Sequence, residues 1–331
     1  MKQAHIIYGR QGKEFAKKIW TELKDLPEGE KISLTGVKTE VFNDGELKPQ
    51  INDSVRGRDV YVVQRFHKHP HGVNEDLMEL LLINDAAKRA SAESIINVLP
   101  YFPYSRQDKM VDRRVPISAK KVVSMLEEDV DGIITMDIHS KPIQGFSKIP
   151  IDNLEAKDMF TKLIEERWNK EEVVLVSPDL GSAERVESYS KILEVERATI
   201  RKVRGEENRP ETREVEGKKS LEGKNAIIID DMIDTGGTIK KAAELLKEEG
   251  SQEINVLTTH PIFSEPATKR LSNLGINVIG TDTIPHHKEF LDENQQWFEV
   301  ETVSQMFAEA IYRDHTGKSF SESEKLFNQT R

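Results

Sequence analysis

The sequence predicts an α/β protein built from open, mostly parallel sheets that are flanked by helices. Short apolar runs of strand length alternate along the chain with segments in which apolar residues recur at helical spacing. No long stretch carries strand signals alone, and this alternation is typical of parallel strands joined by crossover helices. With 331 residues, the chain is long enough for two domains that each have their own core.

The composition excludes several classes of protein. The net charge is −10 at pH 7, which argues against a general nucleic-acid binder because such a protein needs a basic surface. There is no cysteine, which excludes disulfides, a thiol nucleophile and a cysteine-based zinc site. No apolar run approaches membrane-spanning length and the first residues contain no signal-peptide pattern, so we expect a cytoplasmic protein that binds no membrane.

The first half of the chain alternates strands and helices. The helix predicted at 74–89 shows the periodicity well, with Leu77, Leu80 and Ile83 on one face. Asn43-Asp44-Gly45 is typical of a tight hairpin turn. The strands are predicted at 5–8, 59–64, 94–100 and 132–138, and the helices at 13–23, 74–89 and 117–128.

A polar and basic loop led by aromatic residues follows the strand at 94–100. It begins with Tyr101 and Phe102, and it continues through Arg106, Gln107 and Asp108 toward further basic residues. An apolar strand that ends in such a loop suits a lid that handles an anion. The alternative is an ordinary charged surface loop.

The second half repeats the alternation. Its strands are predicted at 172–176, 197–203, 227–229, 254–257 and 277–281, and its helices at 156–168, 185–193, 239–246, 267–274 and 302–315. The highly charged segment 205–216 has no apolar face and is predicted to be a loop or hairpin. His139 and Asp179 each follow a strand, at the position where parallel sheets place their sites. A lone histidine, however, is more often structural.

The most informative stretch is 225–246. Ile227, Ile228 and Ile229 predict a buried strand, and two carboxylates follow where that strand is expected to end. A third acid precedes a loop of small residues, and apolar residues then return at helical spacing. The acids and the loop are Asp230, Asp231 and Asp234, followed by Thr235, Gly236, Gly237 and Thr238.

Such a loop can bind a phosphorylated sugar. Two glycines let the backbone approach a ligand closely, and the N–H groups at the helix start favour an anion. Asp230 and Asp231 would repel a phosphate placed beside them, so they more plausibly accept hydrogen bonds from sugar hydroxyls or hold a cation. No lysine stands where a Walker A loop requires one, which excludes a P-loop. The alternative is a βα turn with solvated aspartates.

The run DDMIDTGGT resembles the ribose-5-phosphate loop of the ribose-phosphate diphosphokinase (PRPP synthetase) family, whose domains have the type I phosphoribosyltransferase fold. Further motifs occur in the family's order between Val41 and Phe327. The resemblance implies two similar phosphoribosyltransferase-like domains, each a mostly parallel sheet flanked by helices. The motifs are FNDGE at 42–46, PYSRQD at 103–108, DIH at 137–139, SPD-x-G at 177–181 and K-x-R at 202–204.

The resemblance also implies roles for individual residues. Those assigned to ATP are Phe42, Asp44, Gly45, Glu46, Arg106, Gln107 and Asp108. Those assigned to ribose 5-phosphate are Arg204, Asp230, Asp231, Asp234, Thr235, Gly236, Gly237 and Thr238. His139 and Asp179 are assigned to Mg²⁺, although magnesium prefers oxygen ligands and His139 suits a water-mediated or phosphate contact better. Lys202 and Arg204 are assigned to stabilisation of the transition state.

The implied reaction moves the β,γ-diphosphoryl group of MgATP to the C1 hydroxyl of ribose 5-phosphate, giving PRPP and AMP. These motifs do not identify the base that activates that hydroxyl. Two other functions stay open: a phosphoribosyltransferase that consumes PRPP, and a non-catalytic protein that associates with PRPP synthetases. The transferase would not need the FNDGE and RQD motifs, and the non-catalytic protein is expected to lack motif residues that this chain retains.

The resemblance further implies the organisation of the chain and its assembly. We expect an N-terminal domain at 1–153, joined by the C-terminal helical segment 302–331, and a C-terminal domain at 154–301. The family's FNDGE loop reaches the ATP site of a neighbouring subunit, so we expect a dimer-based homo-oligomer, with a hexamer as one arrangement. The chain departs from the family at Ser182, where a second glycine is common, and in the tail, where extra residues separate Ser321 and Ser323 from Leu326.

Overall fold

The structure is a computed structural model that describes residues 3–203, 212–217 and 221–319. The described residues form two compact units. The first unit comprises the described residues up to Glu155, Thr283–Pro285 and those from Thr302 onward. The second unit comprises Ala156–Asp282 and His286–Glu301.

Each unit contains one sheet of seven strands among the described residues. The strands of the first unit are β1 (Ala4–Tyr8), β2 (Ile32–Val41), β3 (Leu47–Ile51), β4 (Asp59–Val63), β5 (Ser94–Leu99), β6 (Gly132–Met136) and β7 (Ile151–Leu154). Those of the second unit are β8 (Val173–Ser177), β9 (Glu196–Val203), β10 (Thr212–Glu216), β11 (Asn225–Ile233), β12 (Glu253–Pro261), β13 (Asn277–Thr281) and β14 (Phe298–Glu301).

Helices connect most of these strands. In the described residues they are α1 (Lys13–Leu23), α2 (Val73–Arg89), α3 (Ser118–Leu126), α4 (Lys157–Arg167), α5 (Ala183–Leu193), α6 (Gly237–Glu248), α7 (Ala267–Ser272), α8 (Lys288–Asn294) and α9 (Ser304–Thr316). None of the described helices is long and apolar enough to cross a bilayer.

The two sheets have the same topology. The strand order is β3-β2-β1-β4-β5-β6-β7 in the first unit and β10-β9-β8-β11-β12-β13-β14 in the second. Among the strands of the described residues, only the β2–β3 and β9–β10 pairs are antiparallel, and the other neighbours run parallel. The predicted fold class is therefore confirmed. In such sheets the loops after the carboxyl ends of the strands are the usual place for a ligand.

The core of the first unit follows from the apolar periodicity of its elements. β1 and β4 are buried in the sheet, and helix α1 covers the sheet with Phe15, Ile19 and Leu23, all of them 0% exposed. The ring of Phe15 meets that of Phe307 in α9 edge to face, with centroids 5.4 Å apart. Helix α9 is thereby attached to the first unit, although it comes at the end of the described chain.

The core of the second unit lies partly beneath helix α6. Ile239, Ala242 and Leu246 are buried in the same cluster as Ala226 and Ile228 of β11. This packing fixes the start of α6 relative to the strand before it, so the connecting turn has little freedom to move.

Several elements were not predicted. β2 shows no regular alternation of buried and exposed residues, while β7 and β14 contain four residues each, which is too few to show a period. The segment 205–216 was predicted to be a loop or hairpin, and the antiparallel pairing of β10 with β9 agrees with the hairpin alternative. Residues 204–211 and the tail from residue 320, including Ser321, Ser323 and Leu326, lie outside the described residues.

Asp76 of helix α2 provides a test of how burial affects stability. Its side chain is 0% exposed, and burial raises the pKa of this carboxyl from 3.8 to about 7. The charge of Glu79 acts in the same direction, against the backbone N–H of His67 and the charge of Arg10. The folded chain therefore keeps this proton up to about pH 7, whereas the unfolded chain releases it near pH 3.8.

We expect Asp76→Asn to be more stable than the parent chain at pH 8, and this advantage to shrink as the pH falls toward 4. The parent loses unfolding free energy as the pH rises between the two pKa values, by up to roughly 4 kcal/mol, and the amide does not. Thermal melts at several pH values measure the difference. Asp85→Asn, an exposed position on the same helix, is the control. An advantage of Asp76→Asn that is constant with pH would contradict this prediction.

Candidate functional site

The strand that leads into the predicted sugar-phosphate turn is longer than predicted. We expected it to end before Asp230, but β11 continues to Ile233, because β12 runs alongside it and pairs as far as Ile233 with Pro261. On its other side, β11 pairs with β8 only from Asn225 to Ile228. Asp230 and Asp231 thus extend past the end of β8 while they remain anchored to β12.

The turn from β11 to α6 presents backbone N–H groups in the manner that an anion requires. Gly236 has a φ of +71°, a conformation that favours glycine, and helix α6 begins at the next residue. No described residue accepts a hydrogen bond from the N–H groups of Thr235 to Thr238. The first turn of a helix has no acceptors of its own for these groups, and its dipole favours negative charge.

Two contacts hold this turn in place. The Arg270 guanidinium donates a hydrogen bond to the carbonyl oxygen of Thr235 at 3.0 Å. A side chain at Gly236 would come within 3.3 Å of Leu271, so helix α7 closes off that side of the turn. Helix α7 contributes both residues. Neither was predicted to belong to the site, because neither lies in a recognisable sequence motif.

The carboxyl of Asp230 has a raised pKa. Burial raises its pKa to about 8, and the charges of Asp231 and Asp179 push it the same way. A hydrogen bond from the Ser182 hydroxyl and the charge of Arg185 oppose that shift. A cation or a hydroxyl donor near these acids would favour their ionised forms.

Asp179 lies in the loop after β8, as predicted. Its Oδ1 accepts hydrogen bonds from the backbone N–H of Gly181 at 2.9 Å and of Ser182 at 3.2 Å. Its Oδ2 accepts none from the described residues. Ser182 also donates its hydroxyl to Oδ1 of Asp230 at 2.7 Å, so the loops after β8 and β11 are joined. Asp179 and Asp230 therefore belong to one acidic cluster of the second unit.

These acids fit a magnesium ion whose other ligands are mainly waters and substrate phosphates. The described residues contain no group of three or more His, Cys, Asp or Glu side chains that could hold a metal. Mg²⁺ is commonly bound by one or two carboxylates together with waters and substrate phosphates, so it needs no protein cage. The available oxygen of Asp179 fits this mode. His139 follows β6 in the first unit and is exposed.

The residues assigned to ATP lie on two loops of the first unit. Phe42 to Glu46 form the predicted hairpin turn between β2 and β3, because Phe42 N–H donates to Glu46 O at 2.8 Å and Gly45 N–H to Phe42 O at 2.9 Å. Asp44 accepts from the N–H of Glu46 at 3.1 Å. The Phe42 ring is 43% exposed and available for stacking.

The second of these loops follows β5. Gln107 ties it to helix α3, since its Oε1 accepts from the Ser118 hydroxyl at 2.8 Å and its carbonyl from the Ala119 N–H at 3.1 Å. Arg106 is exposed, Asp108 is half-buried, and the loop beyond them is exposed as well. The loop thus has an anchored beginning and an exposed continuation.

Lys202 lies in β9, where it is exposed and opposite Arg213 of β10 in the register. Arg204 lies outside the described residues. Sequence reasoning treated Ser182 only as a departure from the family and did not single out Arg185. Both lie within six residues of Asp179, and a polar residue close to a predicted ligand is the signal that could have identified them.

Two similar α/β units, with acids at the end of a parallel strand and bare amides at the start of the next helix, define a protein of the phosphoribosyltransferase class. Residues 148–290 match the family model of the phosphoribosyl transferase domain. Residues 4–129 match the model of the N-terminal domain of ribose phosphate pyrophosphokinase. The chain belongs to the ribose-phosphate pyrophosphokinase family.

Similar proteins cover nearly the whole chain. A ribose-phosphate pyrophosphokinase of Fusobacterium nucleatum is 39% identical over 98% of this chain and 98% of its own length. One of Haemophilus ducreyi is 40% identical over 97% of this chain and 98% of its own. The crystal structure of phosphoribosylpyrophosphate synthetase from Mycobacterium smegmatis matches with a TM-score of 0.85 and 34% identity, covering 96% of this chain and 100% of that one.

Proposed function

We propose that this chain transfers the diphosphoryl group of MgATP to the C1 hydroxyl of ribose 5-phosphate, giving PRPP and AMP. The observation that carries this proposal is the β11–α6 turn, which offers unbonded amides at one end and acids at the other. A sugar with hydroxyls at its ring and a phosphate at its tail matches this arrangement. Membership of the family supports the same conclusion.

The sugar phosphate binds along the turn. The N–H groups of Thr235 to Thr238 receive the 5-phosphate, which is stabilised further by the dipole of α6. Asp230 and Asp231 accept hydrogen bonds from the ribose hydroxyls. Asp234 is the first residue of the loop that cradles the 5-phosphate. The C1 hydroxyl is thereby held in one place, which is the main requirement of a reaction between two bound substrates.

The chemical step is a displacement at the β-phosphorus of ATP. The oxygen of the C1 hydroxyl forms a bond to that phosphorus and loses its proton, the bond between the α–β bridging oxygen and the β-phosphorus breaks, and AMP leaves with that oxygen. Negative charge spreads over the transferred group during this step. Lys202 and Arg204 offset the charge, so their contribution is larger in the transition state than in the ground state.

ATP is held by the Phe42 hairpin and by the Arg106–Gln107–Asp108 loop. The exposed Phe42 ring stacks on the base, and the guanidinium of Arg106 pairs with phosphate oxygens. Mg²⁺ bound at Asp179, with His139 contacting it through water or contacting a phosphate, neutralises charge on the phosphates.

The assembly extends this proposal. Val41 and Phe42 are 51% and 43% exposed, which supports a hairpin that meets a second copy of the chain at a shared ATP site. We therefore propose a dimer-based homo-oligomer, and membership of this enzyme family supports a location in the cytoplasm. Its mass in solution, measured by light scattering, tests the assembly independently of the activity.

The function is tested by following AMP formation from ATP with and without ribose 5-phosphate. We expect AMP and PRPP to appear in equal amounts, and only when the sugar phosphate and Mg²⁺ are both present. If ATP is untouched and PRPP is consumed together with a nucleobase, the chain is a phosphoribosyltransferase instead. If neither reaction occurs, the chain is a non-catalytic partner of other PRPP synthetases.

A further inference from the structure

Ser182 connects the two acidic loops of the second unit. It immediately precedes helix α5, it is 6% exposed, and its hydroxyl donates to Oδ1 of Asp230 at 2.7 Å. Its backbone N–H donates to Oδ1 of Asp179 at 3.2 Å. One buried residue thus contacts both a predicted metal ligand and a predicted sugar ligand, which come from neighbouring strands.

The side chain of Asp230 depends on this contact for its orientation. The hydrogen bonds to its Oδ1 come from the Ser182 hydroxyl and from the N–H of Asp231 at 3.1 Å. The backbone N–H alone would leave the carboxylate able to rotate, because one long bond fixes neither the plane nor the second oxygen. With the Ser182 hydroxyl as a second donor to Oδ1, the orientation of the carboxyl group is set more firmly than by the backbone N–H alone.

We infer that Ser182 is a positioning residue that fixes Asp230 so that its Oδ2 is directed to a ribose hydroxyl. This inference rests on the proposed function, because it names how the same site recognises its sugar. By holding Oδ1, Ser182 leaves one oxygen of Asp230 for the ligand. By bonding to Asp179 as well, it sets the position of the sugar acid relative to the acid assigned to the metal.

A consequence is that different residues of the site recognise the phosphate and the ring hydroxyls of the ligand. The amides of Thr235 to Thr238 recognise the phosphate, and they do not contact Ser182. Removal of the Ser182 hydroxyl should therefore weaken recognition of the ring hydroxyls and leave recognition of the phosphate intact. The loss of one hydrogen bond corresponds to a change of about 10-fold in affinity.

The test compares two ligands by calorimetry on the full chain. One is ribose 5-phosphate, and the other is tetrahydrofurfuryl phosphate, which has a similar ring and phosphate but no ring hydroxyl. We expect Ser182→Ala and Ser182→Gly to lower the affinity for ribose 5-phosphate by about 10-fold and the affinity for tetrahydrofurfuryl phosphate by less than about 2-fold. Ser182→Thr, which keeps the hydroxyl, should restore most of the lost affinity. In steady-state assays, the KM for ribose 5-phosphate should rise more than kcat falls.

Ser190→Ala is the matched control. Ser190 lies within helix α5, which Ser182 precedes, and its hydroxyl also makes a hydrogen bond of 2.7 Å, to the carbonyl of Val195. It should reduce stability without changing either affinity. If the parent chain binds ribose 5-phosphate, the inference is overturned when Ser182→Ala lowers the affinity for both ligands equally. It is also overturned when Ser182→Ala leaves the affinity for ribose 5-phosphate unchanged. Failure of the parent chain to bind ribose 5-phosphate would overturn the proposed function and this inference with it.

Discussion

Lys202→Ala should lower kcat by about 100- to 1000-fold and change the affinity for ribose 5-phosphate by less than about 3-fold. The reason is that Lys202 is assigned to charge that develops only as the diphosphoryl group is transferred, so it contributes little to the ground state. Steady-state kinetics give kcat, and calorimetry with ribose 5-phosphate alone gives the affinity.

Arg201→Ala is the control for this variant. Arg201 is the neighbouring residue in β9, so its side chain is on the opposite face of the sheet, and it pairs with Glu216 at 2.8 Å. Both partners are about half exposed, so this ion pair contributes little to stability, and kcat should stay within about 2-fold of the parent. Equal losses of turnover and of sugar-phosphate affinity in Lys202→Ala would remove its role in the transition state.

Gly236→Ala should lower the affinity for ribose 5-phosphate by about 100-fold. The residue has a φ of +71°, which an L side chain adopts at a cost of about 1 kcal/mol, and the new Cβ would meet Leu271 at 3.3 Å. The turn must shift to relieve this contact, and its amides would move with it. A displacement of about 1 Å is enough to cost roughly 100-fold where several hydrogen bonds must form together.

Gly250→Ala separates this effect from general destabilisation. Gly250 follows the other end of helix α6 and has a φ of +83°, so alanine there is strained in a similar way. Both variants should lower the melting temperature, but only Gly236→Ala should change the affinity, measured by calorimetry. If both variants bind ribose 5-phosphate as tightly as the parent chain, the amides of this turn do not hold its phosphate.

The turn itself could be predicted because its function depends on local chemistry. Neighbouring residues of the sequence contain the glycines that permit a positive φ, the acids beside them and the apolar helix face that follows. The structure has this turn between β11 and α6. The hairpin at Asn43-Asp44-Gly45 was predictable for the same reason, since its hydrogen bonds join Phe42, Gly45 and Glu46.

Contacts between distant residues could not be predicted in this way. Arg270 reaches Thr235 from 35 positions away, and Ser182 reaches Asp230 from 48 positions away. The length of β11 is another example, because pairing with β12 extends it through two acids that by themselves disfavour a strand.

The sequence by itself determined the α/β class, the order of the motifs and the chemistry of the glycine-rich turn, since each depends on residues close together in the chain. Only the tertiary structure decided that Asp230 is half-buried, that Ser182 holds it and that α7 fixes the turn beside it. The physical reason is that burial and charge coupling arise when strands and loops distant in sequence pack together, and no local pattern encodes their distances.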